Sequence, residues 1–323
     1  MPNKETPLQR HQRVLAASEE TDGVLDHTRL RALDVDRNQA ARQVAAGRWA
    51  RHGKYTLAMH NGPLGHVARC WRAVWEVGEN VTLVDGVSAL QLAGLRGWHE
   101  EVVHVSLVHR HDPSFTSGVK AHKVIRRVEG ERAGAGLPRT RPPVAAIRAA
   151  NWAVSDRAAA TILAMTVQQR LATGEQLVDA RRRVRGRRRR AFLRQVVQDI
   201  ADGAQSLHEL DFAGACRKRA LPEPTRQALR RTKDGRIYLD VFFEEYGLVV
   251  EVDGAGHQWG LAGVDDSFRA NAVVIDGDRV LRINILGWRL DREAYLDQVT
   301  AALRSDWALA NLARSRPAAG DVN

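Results

Sequence analysis

The sequence predicts a mixed α/β chain of the α+β kind, divided into two or three domains. Three observations carry that expectation. The chain has 323 residues, more than one ordinary domain holds. Residues 1–65 run helix, turn, helix and β-hairpin in that order. From residue 199 onward the order is α-β-β-α-β-α. Hydrophobic residues make up 44 %, enough for packed cores and too many for a disordered chain.

The opening segment reads as a polar helix. Leu30 and Leu33 fit a short second helix, and Val35-Asp36 a turn in which Asp36 caps the next one. That helix runs from Asn38 to Ala46 and is closed by Gly47. Trp49 to Met59 then forms two short strands around His52-Gly53. This order over 1–65 predicts a winged helix-turn-helix-like DNA-binding domain, with Arg37, Arg42, Arg48, Arg51 and Lys54 as its nucleic-acid contacts. A small helical domain with a solvated basic face is the plain alternative.

Residues 66–175 predict a mixed α/β middle domain. VTLVDGVSALQLAGL passes from strand to helix, while VVHVSLVH and SGVKAHKVI are strands. The stretch EGERAGAGLPRTRPP is a loop without the order of a phosphate-binding one, and Ala145 to about Gly174 is a helix. His104, His109, His111 and His122 are read as ordinary polar positions. Residues 176–198 form an Arg-rich helical linker. Its run ARRRVRGRRRR holds eight arginines, Arg187 and Arg188 among them, and suits either solvent or a stripe of phosphates.

From residue 199 the C-terminal domain extends to 323. Ser206 and Glu209 have capping-box spacing and open a helix to about Arg219, which Leu221-Pro-Glu-Pro breaks. Strands are expected at about 236–243, 248–253 and 279–285, with helices at about 265–275 and 291–305. If Glu244–Gly247 form the turn between the first two strands, Phe243 faces Leu248, Val241 faces Val250 and Leu239 faces Val252 on one apolar side. The other side sets Asp240 opposite Glu251 and Tyr238 opposite Asp253. Directly opposed carboxylates lie about 5 Å apart at Cβ and repel. They need a shared proton or a cation, and Mg²⁺ or Mn²⁺ suits oxygen ligands.

The stretches SLHELDFAGACRKRALPEP, GRIYLDVFFEEYGLVVEVDGAGH, DDSFRANAVV and DGDRVLRIN resemble the very-short-patch-repair-like endonuclease branch of the PD-(D/E)XK superfamily, over about residues 199–310. The preceding two thirds is similar to the winged-helix and middle regions of abortive-infection-type antitoxins. The resemblance implies a restriction-endonuclease-like C-terminal fold in which Asp240 and Glu251 are metal ligands, joined by Asp253. It implies Glu209 as an accessory acid, His257 as general base or water-orienting group, and Arg269 as a phosphate contact. Asp253 departs from the pattern, standing where the superfamily has a lysine that neutralises charge or activates water. Asp278 departs too, where an aromatic residue is expected.

A net charge of +11 makes a polyanion the first partner to expect. Cys70 and Cys216 are too far apart in sequence for a CxxC pair, which speaks against a structural zinc site. No signal-like or membrane-spanning apolar run is found, so the expected location is the cytoplasm. The expected function is metal-dependent hydrolysis of DNA phosphodiesters with Mg²⁺ or Mn²⁺. The rival is a non-catalytic, antitoxin-like DNA-binding regulator on a nuclease scaffold. RNA binding ranks third, because no aromatic stacking motif accompanies the arginines. A second copy of the chain or a cognate toxin is left open as a further partner.

Overall fold

The computed structural model describes residues 6–108, 116–186, 188–202, 212–232, 235–253 and 279–315, with backbone alone for Pro7, 226–232, 235–240, 252–253 and 284–285. Two compact units emerge, one from Met1–Val154 with Thr161–Arg188, the other from Ser155–Ala160 with Arg189–Asn323. Both mix helix and strand. Among the described residues no helix is long and apolar enough to cross a membrane.

The first unit opens with α1 (Pro7–Ser18), where Thr6 and Gln9 form a capping box. Strand β1 (Val24–Asp26) leads into α2 (His27–Ala32), whose first turn Asp26 caps. Asp36 and Gln39 form a second capping box at the start of α3 (Arg37–Ala45), and Gly47 at φ 68° turns the chain away from it. The hairpin β2 (Ala50–Arg51) and β3 (Thr56–Ala58) follows. The three strands form an antiparallel sheet in the order β1-β3-β2. Val14, Leu25, Leu30, Val35, Ala40, Trp49, Leu57 and Met59 form the core beneath it. Strand β1 adds to the expected order, because three residues are too short to show a period of two.

Helix α4 (His66–Val77) is a further addition. Gly65 gives it no side-chain cap, so its start carries no local signal, yet it buries Cys70, Trp71, Val74 and Trp75. The strand-to-helix passage is β4 (Leu83–Val84) and α5 (Gly86–Leu92). With β5 (Val103–Val108) and β6 (Val119–Val124) the sheet order is β4-β5-β6, antiparallel and then parallel. The single helix expected from Ala145 to about Gly174 is instead α6 (Pro142–Trp152) and α7 (Asp156–Gln168), and α8 (Gly174–Arg183) starts at its end. Ala153 turns extended at ψ 151°, and the Ser155 hydroxyl accepts from the Ala158 amide at 3.1 Å. A serine that satisfies backbone donors restarts a helix rather than continuing one.

The second unit holds α9 (Arg190–Asp202), α10 (Phe212–Lys218), β7 (Thr225–Thr232), β8 (Gly235–Phe243) and β9 (Leu248–Asp253). They are followed by β10 (Arg279–Asn284), α11 (Ile285–Leu290), α12 (Arg292–Leu303) and α13 (Asp306–Ser315). The sheet runs β10-β9-β8-β7, with β10 parallel to β9 and the other pairs antiparallel. Strand β7 adds to the expected order. Its sequence TRQALRRT has no apolar alternation, and its pairing with β8 defines it. Ile285 belongs to α11, not to the strand before it. The core consists of Phe212, Cys216, Val241, Phe243, Leu248, Val250, Ile283, Trp288, Leu296, Val299 and Leu303. The Ser206–Glu209 capping box, the helix expected at 265–275 and Asp278 lie outside the described residues.

Candidate functional site

The β8–β9 hairpin turns through Glu244–Tyr246, with Gly247 left-handed at φ 61°. Its pairs are Val241↔Val250, Phe242↔Val249 and Phe243↔Leu248. Val241, Phe243, Leu248 and Val250 all enter the core, so the apolar side is the one the alternation indicated. Glu251 has the opposite parity. Its carboxylate is 16 % exposed and lies 3.5 Å from the Arg282 guanidinium, which β10 brings to the same level through the pair Arg282↔Glu251. Asp240 and Asp253 are placed by backbone in β8 and β9. Glu209, His257, Arg269 and Arg187 lie outside the described residues, as do His109 and His111. Among the described residues no three His, Cys, Asp or Glu side chains are grouped to hold a metal ion.

The second candidate surface is basic. Arg37, Asn38, Ala41, Arg42 and Ala45 make the exposed side of α3, while Ala40 points into the core. Arg48, Arg51 and Lys54 are exposed on or beside the β2–β3 hairpin. Arg48 donates to the Gln43 side chain at 2.6 Å. Burial, then the charges of Arg51 and Arg37, hold His27 below the usual histidine range. His27 therefore senses the first residue of α3 and the last of β2 together. Farther along, Arg182, Arg183, Arg185, Arg188 and Arg190 are exposed from the last turn of α8 to the first residue of α9, whereas Arg189 pairs with Asp156 at 2.5 Å.

Sequence reasoning missed the polar interior of the first unit. Arg148 is 2 % exposed and reaches Asp85 at 2.6 Å and Glu131 at 2.7 Å. Arg127 joins Glu131 at 3.2 Å and donates to the Ser106 carbonyl at 2.7 Å. Burial works against the charge on Arg148, but the two carboxylates outweigh it and its pKa is raised. Alongside runs a chain from Glu100 to His104 at 2.8 Å and on to His122 at 2.9 Å, whose ring stacks on Trp152 at 3.7 Å. One neutral tautomer of each ring satisfies all these bonds, His122 Nε2 donating to His104 Nδ1 and His104 Nε2 donating to Glu100. Burial first, then His104 and Lys120, push His122 down to about 3. His104 and His122 are thus members of a buried chain rather than isolated polar positions. Cys70 and Cys216 are both buried.

A scan against protein-family models found no matching family. A search of curated proteins likewise found no match.

Proposed function

We propose that the chain is a DNA-binding protein with a metal-dependent endonuclease site on its C-terminal sheet. The β8–β9 register carries the reading. The pair Val241↔Val250 supports the expected register, in which Asp240 would be the next residue opposite Glu251. As residue types, Asp240, Glu251 and Asp253 would give an oxygen-only donor set, which suits Mg²⁺ or Mn²⁺. Such an ion would acidify a water for attack on a phosphodiester. Glu251 follows Val249 and Val250, both fully buried, and the Arg282 guanidinium lies 3.5 Å from its carboxylate. Arg282 also offers a positive charge beside Glu251, and Asp253 stands where the superfamily it resembles has a lysine.

The first unit supports DNA as the substrate. The order β1-α2-α3-β2-β3, with the sheet order β1-β3-β2, favours a winged helix in which α3 enters a groove and the β2–β3 hairpin is the wing. Arg37 and Arg42 are exposed on α3, and Arg51 and Lys54 on the hairpin.

Supercoiled DNA incubated with Mg²⁺ or Mn²⁺ tests the reading. The wild type should nick it, and Asp240→Ala and Glu251→Ala should each abolish nicking. The Glu251–Arg282 pair favours a second reading, since a protein cation can neutralise the acid without a metal. Tight duplex binding with no nicking under either ion would make the non-catalytic regulator the better account.

A further inference from the structure

Two side chains of α4 reach the β2–β3 hairpin. Glu76 is 8 % exposed and accepts four hydrogen bonds. One carboxylate oxygen takes the Lys54 amide at 2.9 Å. The other takes the Tyr55 amide at 2.8 Å, the Thr56 amide at 2.9 Å and the Thr56 hydroxyl at 2.8 Å. One turn earlier, Arg72 donates through Nε to the His52 carbonyl and through Nη1 to the Ser117 carbonyl at 2.9 Å. Gly53 lies against the carboxylate, and a methyl group there would overlap it.

A buried carboxylate is costly unless its lone pairs are engaged, and here three consecutive backbone amides engage it. The hairpin holds its own tip weakly: β2 and β3 pair at Ala50↔Ala58 and Arg51↔Leu57, and beyond them the His52 amide donates to the Thr56 carbonyl at 3.0 Å. The amides of Lys54, Tyr55 and Thr56 are held from outside, by α4. What the tip presents is cationic and exposed: Arg51, Lys54 and the Tyr55 ring, over which the Lys54 ammonium sits at 5.0 Å.

We propose that Glu76 is the positioning residue of a phosphate-contacting wing. It holds Arg51 and Lys54 in one arrangement before DNA arrives, so that ordering the tip costs nothing on binding. This rests on the DNA-binding reading above. The contact it prepares is to the DNA backbone and is the same for every sequence, in contrast to the groove-facing side of α3.

The test titrates the full chain with a mixed-sequence DNA duplex over a range of salt concentrations. It compares wild type, Lys54→Ala, Glu76→Gln and the double variant, each checked by thermal melting. In Glu76→Gln an amide N–H₂ faces the Lys54 amide, two donors without an acceptor, and the tip is released. Lys54→Ala should weaken binding several-fold and reduce the log–log salt slope by about 0.9. Glu76→Gln should do the same, and adding Lys54→Ala to it should change nothing further. Gly53→Ala displaces the carboxylate from the hairpin side without altering any charge, and should reproduce Glu76→Gln even if the latter folds poorly. Wild-type affinity in both Glu76→Gln and Gly53→Ala, or an undiminished Lys54→Ala effect in those backgrounds, would overturn the assignment while leaving DNA binding intact. If the wild type fails to bind the duplex at low salt, the DNA-binding reading falls, and this inference with it.

Discussion

Asp36 and Glu76 are both acids that satisfy backbone amides, yet only one of them is recognisable from the sequence. Asp36 caps Gln39, three residues away, and its spacing to Gln39 announces the bond. Glu76 serves Thr56, separated by 20 positions, and Arg148 serves Asp85, separated by 63. No spacing rule spans such gaps. His122 belongs with them and makes a pH prediction. In the unfolded chain it titrates near its ordinary 6.5, and in the folded chain at about 3. Between those values the unfolded state binds the proton and the folded state does not, so stability falls as pH drops from about 6.5 towards 3. Melting temperatures measured down that range should decline, and His122→Gln should flatten the decline. An equally steep fall in the variant would show that other groups, such as the Asp85–Arg148–Glu131 carboxylates, carry the acid sensitivity.

Among the elements, strands β8 and β9 are readable because two apolar runs flank a short polar turn. Their turn lies at Glu244–Tyr246, and Phe243↔Leu248 is the pair expected from the sequence. Strand β7 and the break at Ala153 depend on neighbours: β8 supplies the ladder for the one, and Ser155 restarts the chain after the other. Helix α3 is readable at both ends, from Asp36 and from Gly47. Its exposed side leads to a prediction that separates it from the wing. Arg37→Ala and Arg42→Ala should shift which duplexes are selected from a random-sequence pool, because side chains of a groove-bound helix meet base edges. If both variants lose affinity equally for every sequence, α3 contacts only phosphates.

The charge of +11 is a property of the whole molecule, and it is not spread evenly. Five of the exposed arginines, Arg182, Arg183, Arg185, Arg188 and Arg190, lie where the first compact unit gives way to the second. Neutralising them together should reduce the salt slope of duplex binding by about 0.9 for each phosphate the run engages, with no change in sequence preference. A slope equal to the wild type's would identify the run as a solvated connection. Hydrogen-bonded pairs such as Arg189–Asp156 already remove some of the run from service, which its composition alone does not reveal.

By itself, the sequence determined what is encoded within a few residues: the caps of α3, the turn of the hairpin β8–β9 with the pairs next to it, and the parity that separates Glu251 from Val250. These rest on local hydrogen bonds and on a period of two, which short stretches carry whole. Only the tertiary structure decided which distant side chains share an interior. It set Arg282 beside Glu251 through a parallel pair of strands, placed Glu76 beneath the hairpin tip, and enclosed Arg148 between two acids. The reason is energetic. A buried charge is stable only with partners that complete its hydrogen bonds, and the chain supplies those partners from wherever folding brings them, however far apart they stand in sequence.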